Sequence, residues 1–264
     1  MKKYLSEAVG TMLLMMIGTI GYVAVNTMLV YLNITVPIGF SLLTCSLLFG
    51  LALTVAYDCF GPISGAHLNP AVTFGMFMAN RMTGKDALLY VVAQIVGAFA
   101  GVELAAVVLD THTTLGASGY GDLSPFNTQL VQAIVVDVVM SFAFVLLYLM
   151  VTRQKDNQPV AGLVLGLGFA VMYGVELPLI NGAANPAKSL ATAVLQSQGS
   201  PLSQVWAFLL APLLGAALAA LLYLYLAFDK APRQESGQEE EASEAAAVAD
   251  ADDDVLELDF DEED

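Results

Sequence analysis

Ser64-Gly65-Ala66-His67-Leu68-Asn69-Pro70-Ala71-Val72-Thr73 returns later in the chain in a second version, Asn181-Gly182-Ala183-Ala184-Asn185-Pro186-Ala187-Lys188-Ser189. In both versions small residues precede Asn-Pro-Ala, and small residues permit an irregular, closely packed backbone. Asn is a favoured N-cap and Pro a favoured first helical residue, so each Asn-Pro should open a helix. The apolar runs that follow, 71–78 and 189–195, end at polar residues. A helix of about 11 residues reaches roughly 16 Å, about half the hydrocarbon core of a bilayer. Each copy therefore reads as a re-entrant half-helix.

A single Asn-Pro marks an ordinary turn. Two, in corresponding places of two similar halves, are a much stronger signal. Irregular backbone at membrane depth is tolerated only where protein buries it or where it lines a wet cavity. Two half-helix N-termini meeting at the midplane would aim two positive dipole ends at one point, which is how a conducting pathway is built.

The composition agrees with a membrane setting. Of 264 residues, 57% are hydrophobic. The formal net charge of −16 is misleading, because the 25 acids are unevenly spread. Fifteen of them fall between Glu235 and Asp264, a stretch with no Lys or Arg, and residues 1–234 are close to neutral. The chain thus divides into an apolar body, 1–229, and an acidic tail, 230–264, with too little apolar surface to fold. That tail serves either gating and partner binding or solubility. Cys45 and Cys59 sit in or beside one apolar segment and read as a pair of buried free thiols. Met1-Lys2-Lys3 leads into an apolar run too long for a cleaved signal, so the first span should be retained.

Six long apolar segments, about 4–31, 38–58, 86–109, 128–151, 159–179 and 203–228, can each cross a bilayer. Eight of the nine basic residues lie on one side of the resulting weave; the ninth is Lys188, in the second half-helix. The positive-inside rule makes that side, with both termini, cytoplasmic. Three spans per half reverse the direction of the second, so the halves, about 1–109 and 128–229, form an inverted repeat. Other echoes agree. Glu7 in span one parallels Asp137 in span four, and Ala93–Ala98 in span three parallels Ala211–Ala216 in span six. The fold class is an all-α membrane protein of six transmembrane helices and two re-entrant half-helices.

These residues resemble the major intrinsic protein family, the aquaporins and aquaglyceroporins. The resemblance covers about residues 4–228. It rests on the 64–73 stretch, Asn-Pro-Ala at 185–187, the acids early in spans one and four, and Gln94. It implies one pore per subunit, assembly as a homotetramer in lipid, a location in the cell membrane, and passage of water and small neutral solutes. Asn69 and Asn185 would form the pore centre, offering amide donors where the two dipole ends meet. Water there would turn its oxygen to both amides and relay protons poorly, while cations would meet a positive potential and a desolvation cost. The backbone carbonyls of Gly65, Ala66, His67 and Leu68, and of Gly182, Ala183 and Ala184, would form a ladder of acceptors. Buried Glu7 and Asp137 would brace those loops, intramembrane acids being functional by default; a proton relay is their rival role. His67 either senses pH or simply hydrogen-bonds its loop.

Counted from the two Asn residues, the family's selectivity filter falls on Phe49, Tyr173, Gly182 and Lys188. Here the pattern departs from the usual one. Lys188 stands where Arg is common and cannot offer a planar donor fork. Its stem should extend to the outer mouth, leaving a hydrated charge as cation barrier and pore-lining donor. Tyr173 is neither the His of water-specific members nor the Gly of glycerol-conducting ones. Gly182 should open room. Ser189 looks water-type, yet Phe49 and Tyr173 with a small neighbour also suit a polyol's carbon edge.

The leading reading is a passive single-file water channel that excludes protons and ions and passes some small uncharged solutes. The alternatives are a glycerol facilitator, an ion- or proton-coupled transporter using Glu7, Asp137 and Lys188, and a non-conducting structural tetramer. No nucleophile–base pair, metal cluster or phosphate loop is visible in the sequence, so an enzyme, a cofactor, a metal and a nucleic-acid partner are not expected.

Overall fold

The computed structural model describes residues 1–31, 33, 37–153 and 158–228. The acidic tail from 230, with Lys155, Lys230 and Arg233, lies outside the described residues. Two compact units divide the chain, Met1–Leu224 and Tyr225–Asp264; of the second, only the end of the last helix is described.

Among the described residues the fold is entirely helical. The long helices are α1 (Lys2–Tyr31), α2 (Ile38–Ser64), α4 (Gly84–Leu109), α5 (Leu130–Val151), α6 (Gln158–Ile180) and α8 (Val205–Phe228). All six are long and apolar enough to cross a membrane. Two short ones lie between them, α3 (Pro70–Met78) and α7 (Pro186–Leu195). At about 1.5 Å per residue they reach roughly 13–15 Å, which is half a bilayer core. Each starts at an Asn-Pro, as expected. Span two runs past 58 to Ser64, with Pro62 inside its final turn. The helix stops where Gly65 turns left-handed, at φ 89°, and donates its N–H to Gly61 O.

The outside of the bundle is apolar. Leu88, Val92 and Val96 on α4, and Leu210, Leu214, Leu218 and Leu221 on α8, are large, exposed and spaced along single helix faces. Such stripes suit lipid rather than water. Inside, the repeat governs how helices meet. A Cβ on Gly97 of α4 would run into Ala8 O on α1, and one on Gly215 of α8 would run into Val138 O on α5. These two glycines occupy matching places in the Ala93–Ala98 and Ala211–Ala216 echoes. Each lets a helix approach its partner one residue after an early acid, Glu7 or Asp137. Backbone contact at that depth delivers the acid to the interior.

The segment between α3 and α4 is anchored to α5: Arg81 donates to Leu149 O (3.0 Å), Thr152 Oγ1 (2.9 Å) and Thr152 O (2.9 Å), occupying carbonyls that the helix end leaves open. Cys45 is a buried free thiol as expected, but Cys59 is exposed, because the helix turn it occupies faces outward.

Candidate functional site

The two half-helices are capped alike, each by its Asn. Asn69 is extended (φ −157°) and its Oδ1 accepts Ala71 N at 2.8 Å; Asn185 (φ −141°) accepts Ala187 N at 3.0 Å. Each amide then crosses to the other loop. Asn69 Nδ2 donates to Ala184 O at 2.8 Å, and Asn185 Nδ2 donates to Leu68 O at 3.0 Å. One N–H of each amide thereby ties the half-helix ends together, and the second has no partner among the described residues.

Backbone conformation repeats as well. Matching the two Asn residues, Gly65, Ala66 and Leu68 are left-handed (φ 89°, 50° and 52°), as are Asn181, Gly182 and Ala184 (φ 57°, 65° and 48°). Each left-handed non-glycine costs about 1–2 kcal/mol, so bonds from elsewhere must hold these loops. In the first loop Glu7 is the acid that does so. Its Oε1 accepts His67 N (3.0 Å) and Ser64 Oγ (2.7 Å), and its Oε2 accepts Leu68 N (2.8 Å) and Gln94 Nε2 (2.7 Å). Gln94 also donates to Thr73 Oγ1 (2.8 Å). Tyr90 donates to Ser64 O at 2.8 Å and Tyr148 to Gly65 O. His67 sits between those two tyrosine rings with Nδ1 3.0 Å from Thr73 Oγ1.

In the second loop two acids divide the work. Asp137 Oδ1 accepts Ala184 N at 3.0 Å and Ser141 Oγ at 3.2 Å. Asp is one methylene shorter than Glu, and the neighbouring N–H, that of Ala183, goes instead to Glu176 Oε2 on α6 at 2.7 Å. All three acids are fully buried. Residue types and spacing paired Glu7 with Asp137 but passed over Glu176, although an acid inside the 159–179 apolar segment was the available signal.

The carbonyl ladder is partly occupied by the protein itself. Gly65 O, Leu68 O, Gly182 O and Ala184 O all accept protein donors, whereas Ala66, His67 and Ala183 carbonyls receive none from the described residues.

Phe49, Tyr173, Gly182 and Lys188 do come together. The rings of Phe49 and Tyr173 lie 4.5 Å apart at 34°, and Lys188 Nζ is 5.7 Å from the Tyr173 centroid. Two expectations about them change. Gly182 does not leave open space: a Cβ there would overlap the Tyr173 ring, so the ring occupies the room that glycine provides. Nor does Lys188 reach out to water. It is only 2% exposed, and its Nζ donates to Gly116 O (2.6 Å), Asn181 O (2.8 Å) and Gly182 O. Ser118 Oγ lies 3.3 Å away. An ammonium has three donors, and three carbonyls take them. Tyr173 Oη, by contrast, is buried without a partner among the described residues.

The carbonyl of Gly116 comes from the connection after α4, whose run Leu115–Gly119 is buried. Gln196 Oε1 holds that run by accepting Leu115 N (2.8 Å) and Ala117 N (3.1 Å), and Ser118 Oγ donates to Gly182 O (3.1 Å). A cavity of about 360 Å³ is bordered by Tyr22, Thr114, Gly116, Asp122, Asn181 and Gln196, two of which, Gly116 and Asn181, also bind Lys188 through their carbonyls. Nothing in the sequence marked this connection as part of the site.

The chain is similar to known proteins. The family model described as Major intrinsic protein matches residues 1–223. A "Glycerol uptake facilitator protein-like 6" of Lactiplantibacillus plantarum is 37% identical over 225 residues, 83% of this chain and 95% of that protein. An "Aquaporin Z" of Bradyrhizobium diazoefficiens is 32% identical over 232 residues, 86% of this chain and 93% of that protein. The X-ray structure of the aquaglyceroporin from Plasmodium falciparum superposes with a TM-score of 0.70 at 21% identity, covering 84% of this chain and 94% of the other.

Proposed function

Because the chain belongs to the major intrinsic protein family, and is a multi-pass membrane channel for water, small neutral solutes or both, we propose that it conducts water in single file and retards glycerol at its outer constriction. The supporting observation is the Tyr173 ring packed beside Gly182 and 4.5 Å from Phe49, which narrows the space that a small residue at 182 would otherwise give. Water would then meet the second N–H of Asn69 and of Asn185 at the crossing of the half-helices, with the carbonyls of Ala66, His67 and Ala183 as acceptors on either side. The paired helix N-termini and the Lys188 ammonium disfavour cations, and an oxygen held by two donors breaks a proton wire. Family members are channels rather than enzymes, and no step here requires a cofactor or a metal.

The same reading includes a homotetramer in lipid, in the cell membrane, with both termini cytoplasmic. A glycerol facilitator is the second reading. It is favoured by the aromatic wall of Phe49 and Tyr173 with one unpartnered hydroxyl, a surface that matches a polyol's apolar edge and a single hydroxyl. Stopped-flow light scattering of proteoliposomes separates the two. A sucrose gradient should drive fast shrinkage with no current. With glycerol, the shrunken vesicles should re-swell no faster than protein-free ones; fast re-swelling establishes the second reading instead.

A further inference from the structure

We propose that Glu176 is a positioning residue of the outer constriction, acting through the peptide between Gly182 and Ala183 on Lys188 and Tyr173. This rests on the channel reading and adds to it a residue that sets which solutes pass. The peptide unit is held at both ends. Its N–H, on Ala183, donates to Glu176 Oε2 at 2.7 Å, and its C=O, on Gly182, accepts Lys188 Nζ and Ser118 Oγ. A carboxyl at the N–H end and an ammonium at the C=O end polarise the peptide in the same sense and strengthen both bonds. Glu176 also shares a helix face with Tyr173, one turn earlier on α6, and that ring lies against Gly182. The acid, the loop, the lysine and the aromatic therefore shift together or not at all.

Plain packing does not account for Glu176. It is fully buried, and its second oxygen, Oε1, has no partner among the described residues; the same holds for Asp137 Oδ2. A buried polar atom left open is expensive, and a leucine would fill the volume without that penalty. What a leucine lacks is an acceptor for Ala183 N. The left-handed Gly182 and Ala184 that flank Ala183 give the loop no regular pairing of its own.

The test separates acceptor from reach. Glu176→Gln keeps a side-chain oxygen at the same distance, Glu176→Asp shortens the arm, and Glu176→Leu removes the acceptor. In proteoliposomes the glycerol-to-water permeability ratio should rise at least fivefold in the Leu and Asp variants and stay within twofold in Gln. In a Lys188→Met background, where the Gly182 carbonyl is already released, Glu176→Leu should add less than twofold. Should the Leu variant fail to fold, the Asp variant carries the same comparison. A ratio unchanged in Leu and Asp, or an effect of equal size in both Lys188 backgrounds, overturns the inference. A second readout needs no flux. An amine-reactive reagent added outside should label Lys188 at least fivefold faster in Leu and Asp than in wild type and Gln, and equal rates overturn the inference. Absence of wild-type water flux strikes the channel reading alone, because the labelling comparison stands apart from it.

Discussion

The two pore loops have one backbone and two kinds of support. From Gly65 to Asn69, and from Asn181 to Asn185, left-handed residues fall at the same three places and an extended Asn closes the run. The first loop receives a single glutamate whose two oxygens collect four donors. The second receives an aspartate and a glutamate from different helices, each with one oxygen left unpartnered among the described residues. The difference teaches that the repeat preserves the positions of backbone N–H groups rather than the acids that meet them. It also shows where tuning is possible. The first loop's acid is fully engaged and that loop carries no residue of the proposed constriction, whereas the loop whose acids have spare acceptor capacity carries Gly182 and leads to Lys188.

That contrast breaks most visibly at Glu7. Glu7→Leu would leave the N–H groups of His67 and Leu68, the Ser64 hydroxyl and the Gln94 amide without their acceptor, at about 1–3 kcal/mol for each buried group left unpaired. The variant should fail to accumulate as folded protein, read by size-exclusion chromatography in detergent, while Asp137→Ala should remain recoverable. Equal loss in both would mean that the two braces are equivalent after all.

Gly182→Ala comes next. It adds a left-handed Cβ and pushes it into the Tyr173 ring, a combined cost of about 2–4 kcal/mol. A lowered Tm that recovers when Tyr173→Ala is added would show that the ring is the obstacle; no recovery would place the strain in the backbone.

Asn69→Asp and Asn185→Asp test the symmetric part. A carboxylate cannot donate, and it partly cancels the dipole potential. Osmotic water permeability at equal membrane abundance should fall at least fivefold in each, a change equivalent to about 1 kcal/mol. Undiminished flux in both would remove the assigned pore centre, and unequal losses would extend the asymmetry from the braces to the centre itself.

The smallest effect belongs to Ala66→Gly, at the position matching Gly182. Glycine adopts the left-handed conformation freely but loses more entropy on folding, so Tm should change by the equivalent of at most about 1 kcal/mol. A change as large as that of Gly182→Ala would show that residue 66 makes contacts beyond its backbone conformation.

Much of this is legible in the residues alone. Asn-Pro at 69–70 and 185–186 announced two helix starts, since capping and proline's fixed φ act locally. The long apolar segments announced six spans because a bilayer demands length and hydrophobicity of each separately. Glu7 and Asp137 were readable because charge is rare in such segments. Glu176 carried the same signal and was passed over because it has no counterpart in the first half. The buried run Leu115–Gly119 carried no signal, being short, small-sided and outside every span.

The sequence by itself determined the number of spans, the two half-helix starts and the pairing of two inverted halves, all of which follow from local propensity and from the solvent each segment must meet. Only the tertiary structure decided where Lys188 points, what fills the space beside Gly182 and which acid holds Ala183. Those depend on distances between α6, the 110–127 connection and α7, and a side chain with several partners in reach is assigned by the geometry of all of them at once. A lysine read alone extends toward water. Buried among three carbonyls, it turns inward, because there its three donors have acceptors.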